Sequence, residues 1–89
     1  MVYKNSAIKN YLITYYKDNI TLILNNEKLY FFDLKTYKLT FFRKIEHKIY
    51  GIIMVASDIL LLCAKHKLYF LNIEKNEISS FNIWKKRKK

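Results

Sequence analysis

The sequence predicts an all-β protein built from two tandem four-stranded antiparallel sheets. Two observations carry this: a 39-residue internal repeat, and eight short apolar runs punctuated by polar turn residues with no apolar period near 3.6 sustained over a helical length. Shifting the chain by 39 residues aligns Lys28-Leu29-Tyr30-Phe31 with Lys67-Leu68-Tyr69-Phe70 without a gap. Further identities fall at Lys9/Lys48, Tyr11/Tyr50, Ile13/Ile52, Ile20/Ile59, Leu22/Leu61 and Phe42/Phe81. Ten identities in 37 aligned positions stand against roughly three or four expected from so biased a composition. Similar pairs such as Asn19/Asp58, Asp33/Asn72, Leu39/Ile78 and Thr40/Ser79 extend the match.

Each repeat divides into four strands. In the first copy they are expected over residues 10–16, 20–24, 29–34 and 39–45, and in the second over 49–56, 59–64, 68–73 and 78–83. Ile, Leu, Tyr, Phe and Thr crowd the runs, as a half-buried pleated surface requires. The breaks hold Lys17-Asp18-Asn19, Asn25-Asn26-Glu27, Lys35-Thr36-Tyr37 and Glu74-Lys75-Asn76. Such short connections make neighbouring strands antiparallel. Asp33 and Asn72 each precede such a break and are expected to accept a hydrogen bond from the backbone two residues on. With one glycine in 89 residues, left-handed turn positions must fall to Asn and its like. Tyr37 aligns with Asn76 and would be strained in a left-handed conformation.

The runs do not alternate. Leu29-Tyr30-Phe31-Phe32 and Ile59-Leu60-Leu61-Leu62-Cys63 are apolar at successive positions, and successive side chains point to opposite faces, so both faces of these strands need cover. Four-stranded sheets stacked face to face supply it, which is the logic of β-propeller blades. The chain divides into an N-terminal extension (1–8), a blade-like repeat (9–47), a second (48–84) and a basic tail (85–89). Propellers close with at least about four blades. Two repeats therefore fit a fragment of a longer protein, an assembly completed by another chain, or a small sandwich.

Composition narrows the function classes. One small domain is the most that 10.9 kDa can hold, which excludes a multidomain enzyme. A single cysteine, Cys63, excludes an intrachain disulfide framework and a multi-cysteine zinc site, and fits an intracellular setting. It lies in an apolar strand and reads as a buried, inert thiol. The Lys- and Asn-rich, Pro-free composition follows AT-rich codons, so the formal charge of +10 is discounted as a footprint of an anionic partner. Half of that charge sits in Lys85, Lys86, Arg87, Lys88 and Lys89. The longest apolar stretch, residues 49–64, carries Asp58 and falls short of the roughly 20 residues a bilayer-spanning helix needs. No membrane role, cleaved signal peptide, cofactor, metal or small-molecule substrate is expected. No paired carboxylates, nucleophile with base, or Gly-rich phosphate loop can be assembled, so the reading is not an enzyme.

The segment from Leu29 through Phe32-Asp33 to Leu39 resembles the third and fourth strands of a WD40-type propeller blade, with Phe32-Asp33 in the place of the Trp-Asp pair and Leu71-Asn72 in the same place in the second copy. His47 lies 25 residues before Asn72, close to the spacing between that family's Gly-His and Trp-Asp signatures. The resemblance implies propeller blades acting as protein-interaction surfaces. By the same analogy, the loops entering the first strand and joining the second to the third share one face. That face would gather Asn25, Asn26, Glu27, Glu46, His47, Lys48, Lys65 and His66 as candidate protein-binding residues.

Two function classes result. The first is a non-enzymatic protein–protein interaction module contributing WD40-like blades to a larger intracellular assembly, such as a ribonucleoprotein or preribosomal particle, with a protein partner or a second copy covering the exposed blade faces. The alternative is a small basic RNA-binding protein, in which residues 85–89 neutralise phosphates and aromatic side chains of the β-surface stack on bases. A run of five basic residues also resembles a nuclear address, which makes nucleus or nucleolus the candidate compartment.

Overall fold

The computed structural model describes residues 11–83. They form eight strands: β1 (Tyr11–Lys17), β2 (Ile20–Asn25), β3 (Lys28–Asp33), β4 (Lys38–Lys44), β5 (Gly51–Ala56), β6 (Ile59–Cys63), β7 (Lys67–Asn72) and β8 (Glu77–Asn82). All pairings are antiparallel between sequence neighbours, giving one sheet in the order β1-β2-β3-β4 and a second in the order β5-β6-β7-β8. The expected strands are all present, with ends displaced by no more than two residues. Ile49 and Tyr50 precede β5 rather than opening it, although the Tyr50 amide still donates to the Cys63 carbonyl at 2.8 Å.

The turns follow from the residues available. Asp18, Asn26 and Asn76 take left-handed φ values of 53°, 62° and 55°, a conformation that short polar side chains tolerate. Tyr37 takes 61° at the position equivalent to Asn76, so the strain anticipated from its alignment is real. Gly51, by contrast, has no positive φ, and a side chain added there would meet nothing within 4 Å. At the β3–β4 turn the Asp33 carboxylate accepts from the amides of Lys35 (2.8 Å) and Thr36 (3.2 Å), and the Asp33 carbonyl accepts from Tyr37 at 2.7 Å. Asn72 accepts from the third residue on, Lys75, at 2.9 Å rather than from the second.

Irregularities repeat as well. The β1–β2 ladder is interrupted between Tyr15 and Lys17 and the β5–β6 ladder between Met54 and Ala56, leaving Tyr16 and Val55 as the extra residues 39 positions apart. Outside the ladders, the Leu34 amide bonds the Asn19 carbonyl at 2.7 Å and the Ile73 amide bonds Asp58 at 2.8 Å, again equivalent residues. One bulge is not shared. Opposite Leu29 and Tyr30, β4 inserts Phe42 between Phe41 and Arg43, whereas Phe81 pairs regularly with Leu68. Phe42 consequently packs on Phe31 with ring centroids 4.8 Å apart, while Phe81 is 59% exposed.

The core lies between the two sheets. Sheet 1 contributes Leu22, Leu24 and Leu29, with Leu12 and Phe31 packed against them; sheet 2 contributes Leu60, Leu62, Tyr69 and Leu71, with Ile52 and Met54. The repeat shows that these are opposite faces. Ile52, Leu62, Tyr69 and Leu71 correspond to Ile13, Ile23, Tyr30 and Phe32, which point away from sheet 2, where Ile13 is 58% exposed. Conversely Leu22, Leu29 and Phe31 correspond to Leu61, Leu68 and Phe70, on the outer side of sheet 2. The sheets therefore stack head to tail, each offering the next a different face. β1 and β5 are the only strands of different sheets whose Cα atoms come within 8 Å, among the described residues. The gap opens from that edge outward, since packed sheets ordinarily stand about 10 Å apart.

Polar contacts pin the stack. The Tyr16 hydroxyl donates to the Asp58 carboxylate, which also receives Lys17 Nζ at 3.3 Å. Burial of the phenol, and then its bond to Asp58, push the Tyr16 pKa up. That bond, with Lys17 behind it, holds Asp58 below the usual carboxylate range. Arg43 Nη1 donates to the Asn76 side-chain oxygen at 3.0 Å, tying β4 to the β7–β8 turn.

Candidate functional site

Hairpin geometry gathers the loop residues expected at a binding face. The β2–β3 turn carries Asn26 and Glu27, the link between sheets carries Glu46, His47 and Lys48, and the β6–β7 turn carries Lys65 and His66. Two adjoining clefts collect them. The larger, about 950 Å³, is lined by Asn25, Asn26, Glu27, Glu46, His47 and Lys48 together with Tyr11 and Tyr50. The smaller, about 330 Å³, is lined by His47, Lys48, Lys65 and His66 with Tyr69. All eight candidates thus share one end of the molecule.

Two contacts anchor members of this set. Tyr69 is 9% exposed, and the His47 ring stacks on it at 4.3 Å between centroids, with the Tyr69 hydroxyl 3.3 Å from His47 Nδ1. Ile45, buried at 1%, anchors the start of the link through its amide bond to the Glu27 carbonyl at 2.7 Å. The rim is charged and open: Lys44 lies 3.7 Å from Glu27, and Lys48 and Lys67 lie over the Tyr50 and Tyr69 rings at 5.9 and 6.0 Å. Among the described residues no three His, Cys, Asp or Glu side chains converge as a metal set. This end can offer hydrogen bonds, charge of both signs and aromatic edges to a polar ligand surface.

The second candidate surface is the pair of uncovered sheet faces. On sheet 1, Ile13, Tyr15, Leu39 and Phe41 are 53–58% exposed, and Tyr30 meets Phe41 edge to face at 5.7 Å. On sheet 2, Ile53 and Phe81 are 52% and 59% exposed, with Leu61, Leu68 and Phe70 half-buried beside them. Cys63 belongs to this outer face. It is half-buried and free, not fully enclosed as its alignment with Leu24 suggested, because the equivalent face of sheet 1 is covered and this one is not. Sequence reading anticipated apolar blade faces but missed these particular residues. The signal that finds them is the repeat combined with the strand register.

Residues 85–89, the basic candidates for nucleic-acid contact, lie outside the described residues. No described helix is long and apolar enough to cross a membrane, and residues 49–64 are occupied chiefly by β5 and β6. No protein-family model, curated protein or solved structure matches the chain.

Proposed function

We propose that this chain is a non-enzymatic protein-interaction module that contributes blade-like sheets to a larger assembly. The observation that carries the reading is the pair of apolar, aromatic-rich faces on either side of the buried core between the sheets. Contiguous apolar surface of this kind on a small protein marks a contact site. The polar loop end, with its charged rim around Tyr69 and His47, adds a second surface suited to orientation rather than to affinity. The WD40-like pattern at Phe32-Asp33 and Leu71-Asn72 agrees with this role.

The test is the native size of the tagged full chain in extract of its own cells. A particle well above 10.9 kDa, reduced to the single-chain size by Phe41→Lys, is the expected result. Elution at the single-chain size would overturn the proposal.

A further inference from the structure

We infer that the partner covering the free faces is a second copy of this chain, docked head to tail so that the outer face of sheet 2 receives the outer face of sheet 1. This rests on the interaction-module reading and names its partner.

The internal interface is the template. Within one chain, a surface carrying Leu22, Leu29 and Phe31 packs on one carrying Ile52 and Tyr69. The uncovered face of sheet 2 repeats the first surface, with Leu61, Leu68 and Phe70 identical at those three positions. The uncovered face of sheet 1 repeats the second, with Ile13 and Tyr30 identical at those two. Each chain thus displays close copies of both halves of an interface it already makes once, with Gly51 and Cys63 in the places of Leu12 and Leu24 and Thr21 in the place of Leu60. Such a contact joins two different patches and is heterologous, so it propagates into a closed ring or an open filament. The approach of β1 to β5 makes each junction a wedge, and wedges that share an edge close. Closure at the usual size of about four to eight sheets corresponds to about two to four chains.

The template also fixes what the new junction lacks. The Tyr16–Asp58 and Arg43–Asn76 bonds have Val55 with Asn19, and Asn82 with Tyr37, in the equivalent places. Apolar contact must therefore carry the association, which makes it weaker than the internal stack and concentration-dependent. At the tight edge of this junction Ile13 of one copy meets Ile53 of the next, as the strand order places β1 opposite β5.

Sedimentation velocity on the purified full chain tests this. Wild type is expected to associate reversibly to a species of about two to four chains that grows no further. Ile13→Lys and Ile53→Lys, each burying an unpaired ammonium in the junction, should separately weaken association by more than about 100-fold and sediment as single chains. Mixed in equal amounts they should form a two-chain species and nothing larger, because each retains the face the other has lost. Both positions are over half exposed, and a retained strand-type circular dichroism spectrum certifies folding; if either variant unfolds, Phe41→Lys and Phe81→Lys replace the pair. A single-chain wild type, continued association of either single variant, or a mixture that stays single-chain overturns the inference. A purified single-chain protein that still enters a larger particle in cell extract, sensitive to Phe41→Lys, overturns it while leaving the module reading intact.

Discussion

At the scale of single residues, two consequences are measurable. Tyr37 is held at a φ of 61° although it is 76% exposed and gains only a loose stack on Phe32 at 6.4 Å. A bulky residue in that region costs about 1–2 kcal/mol, and Asn76 shows what the same turn accepts in the second repeat. Tyr37→Asn should therefore raise stability by about 1 kcal/mol, read as a higher urea midpoint with unchanged slope. The second consequence concerns acid. Asp58 is held below the ordinary carboxylate range by the Tyr16 hydroxyl and then Lys17, and Asp33 by the amides of Lys35 and Thr36. A depressed folded pKa means that the unfolded chain takes up protons first as pH falls. Their stabilisation is whole above the unfolded value of about 4 and drains away through the lower folded values. The double variant Asp33→Asn with Asp58→Asn should lose less stability than wild type between neutral pH and pH about 3, measured by urea midpoints at the two pH values.

At the scale of strands and sheets, identical residues in equivalent places should respond differently because their faces do. Leu22 is fully buried, and its counterpart Leu61 is half-buried on the outer side of sheet 2. Leu22→Ala should cost about 2–5 kcal/mol. Leu61→Ala, in the Ile13→Lys background that keeps the chain single, should cost less than half as much, and equal losses would contradict the head-to-tail stacking. Gly51 offers a gain instead: it needs no special φ, has open space above it, and opens the edge strand β5, paired with Cys63, where Leu12 stands in the first repeat. Gly51→Val should stabilise the monomer by about 0.5–1 kcal/mol in thermal unfolding, through strand propensity. The strands, their order and the strained turn were legible because each depends on local chemistry: short apolar runs, Asp and Asn at breaks, and a Tyr aligned with an Asn. The pairing of faces was not. Both sides of β2, β3, β6 and β7 are apolar, so hydrophobicity alone could not say which side of each sheet is covered, and Cys63 was placed inside for that reason. The eight loop candidates fell together because the hairpins and the link between the sheets all turn at one end; the stacking of His47 on Tyr69 needed the packed structure.

At the scale of the whole molecule, salt separates the two partners the sequence allows. The proposed association would bury the exposed apolar residues Ile13, Phe41, Ile53 and Phe81, and burial of such surface is not weakened by simple salt, which screens only charges. Contact between residues 85–89 and RNA is the opposite case. Five charges on a single strand release at most a handful of counterions, so the logarithm of affinity should fall with the logarithm of salt with a slope no steeper than about −3.5. The decisive measurement is therefore sedimentation of the full chain with labelled single-stranded RNA across a salt series, beside a chain ending at residue 84. Protein self-association should persist across the series in both chains, while any RNA binding should fade with salt and vanish without the tail. If truncation leaves RNA binding unchanged, the aromatic faces rather than the basic run hold the nucleic acid. In that case RNA should compete with a second protein copy for the outer face of sheet 1, and adding RNA would dissociate the assembly.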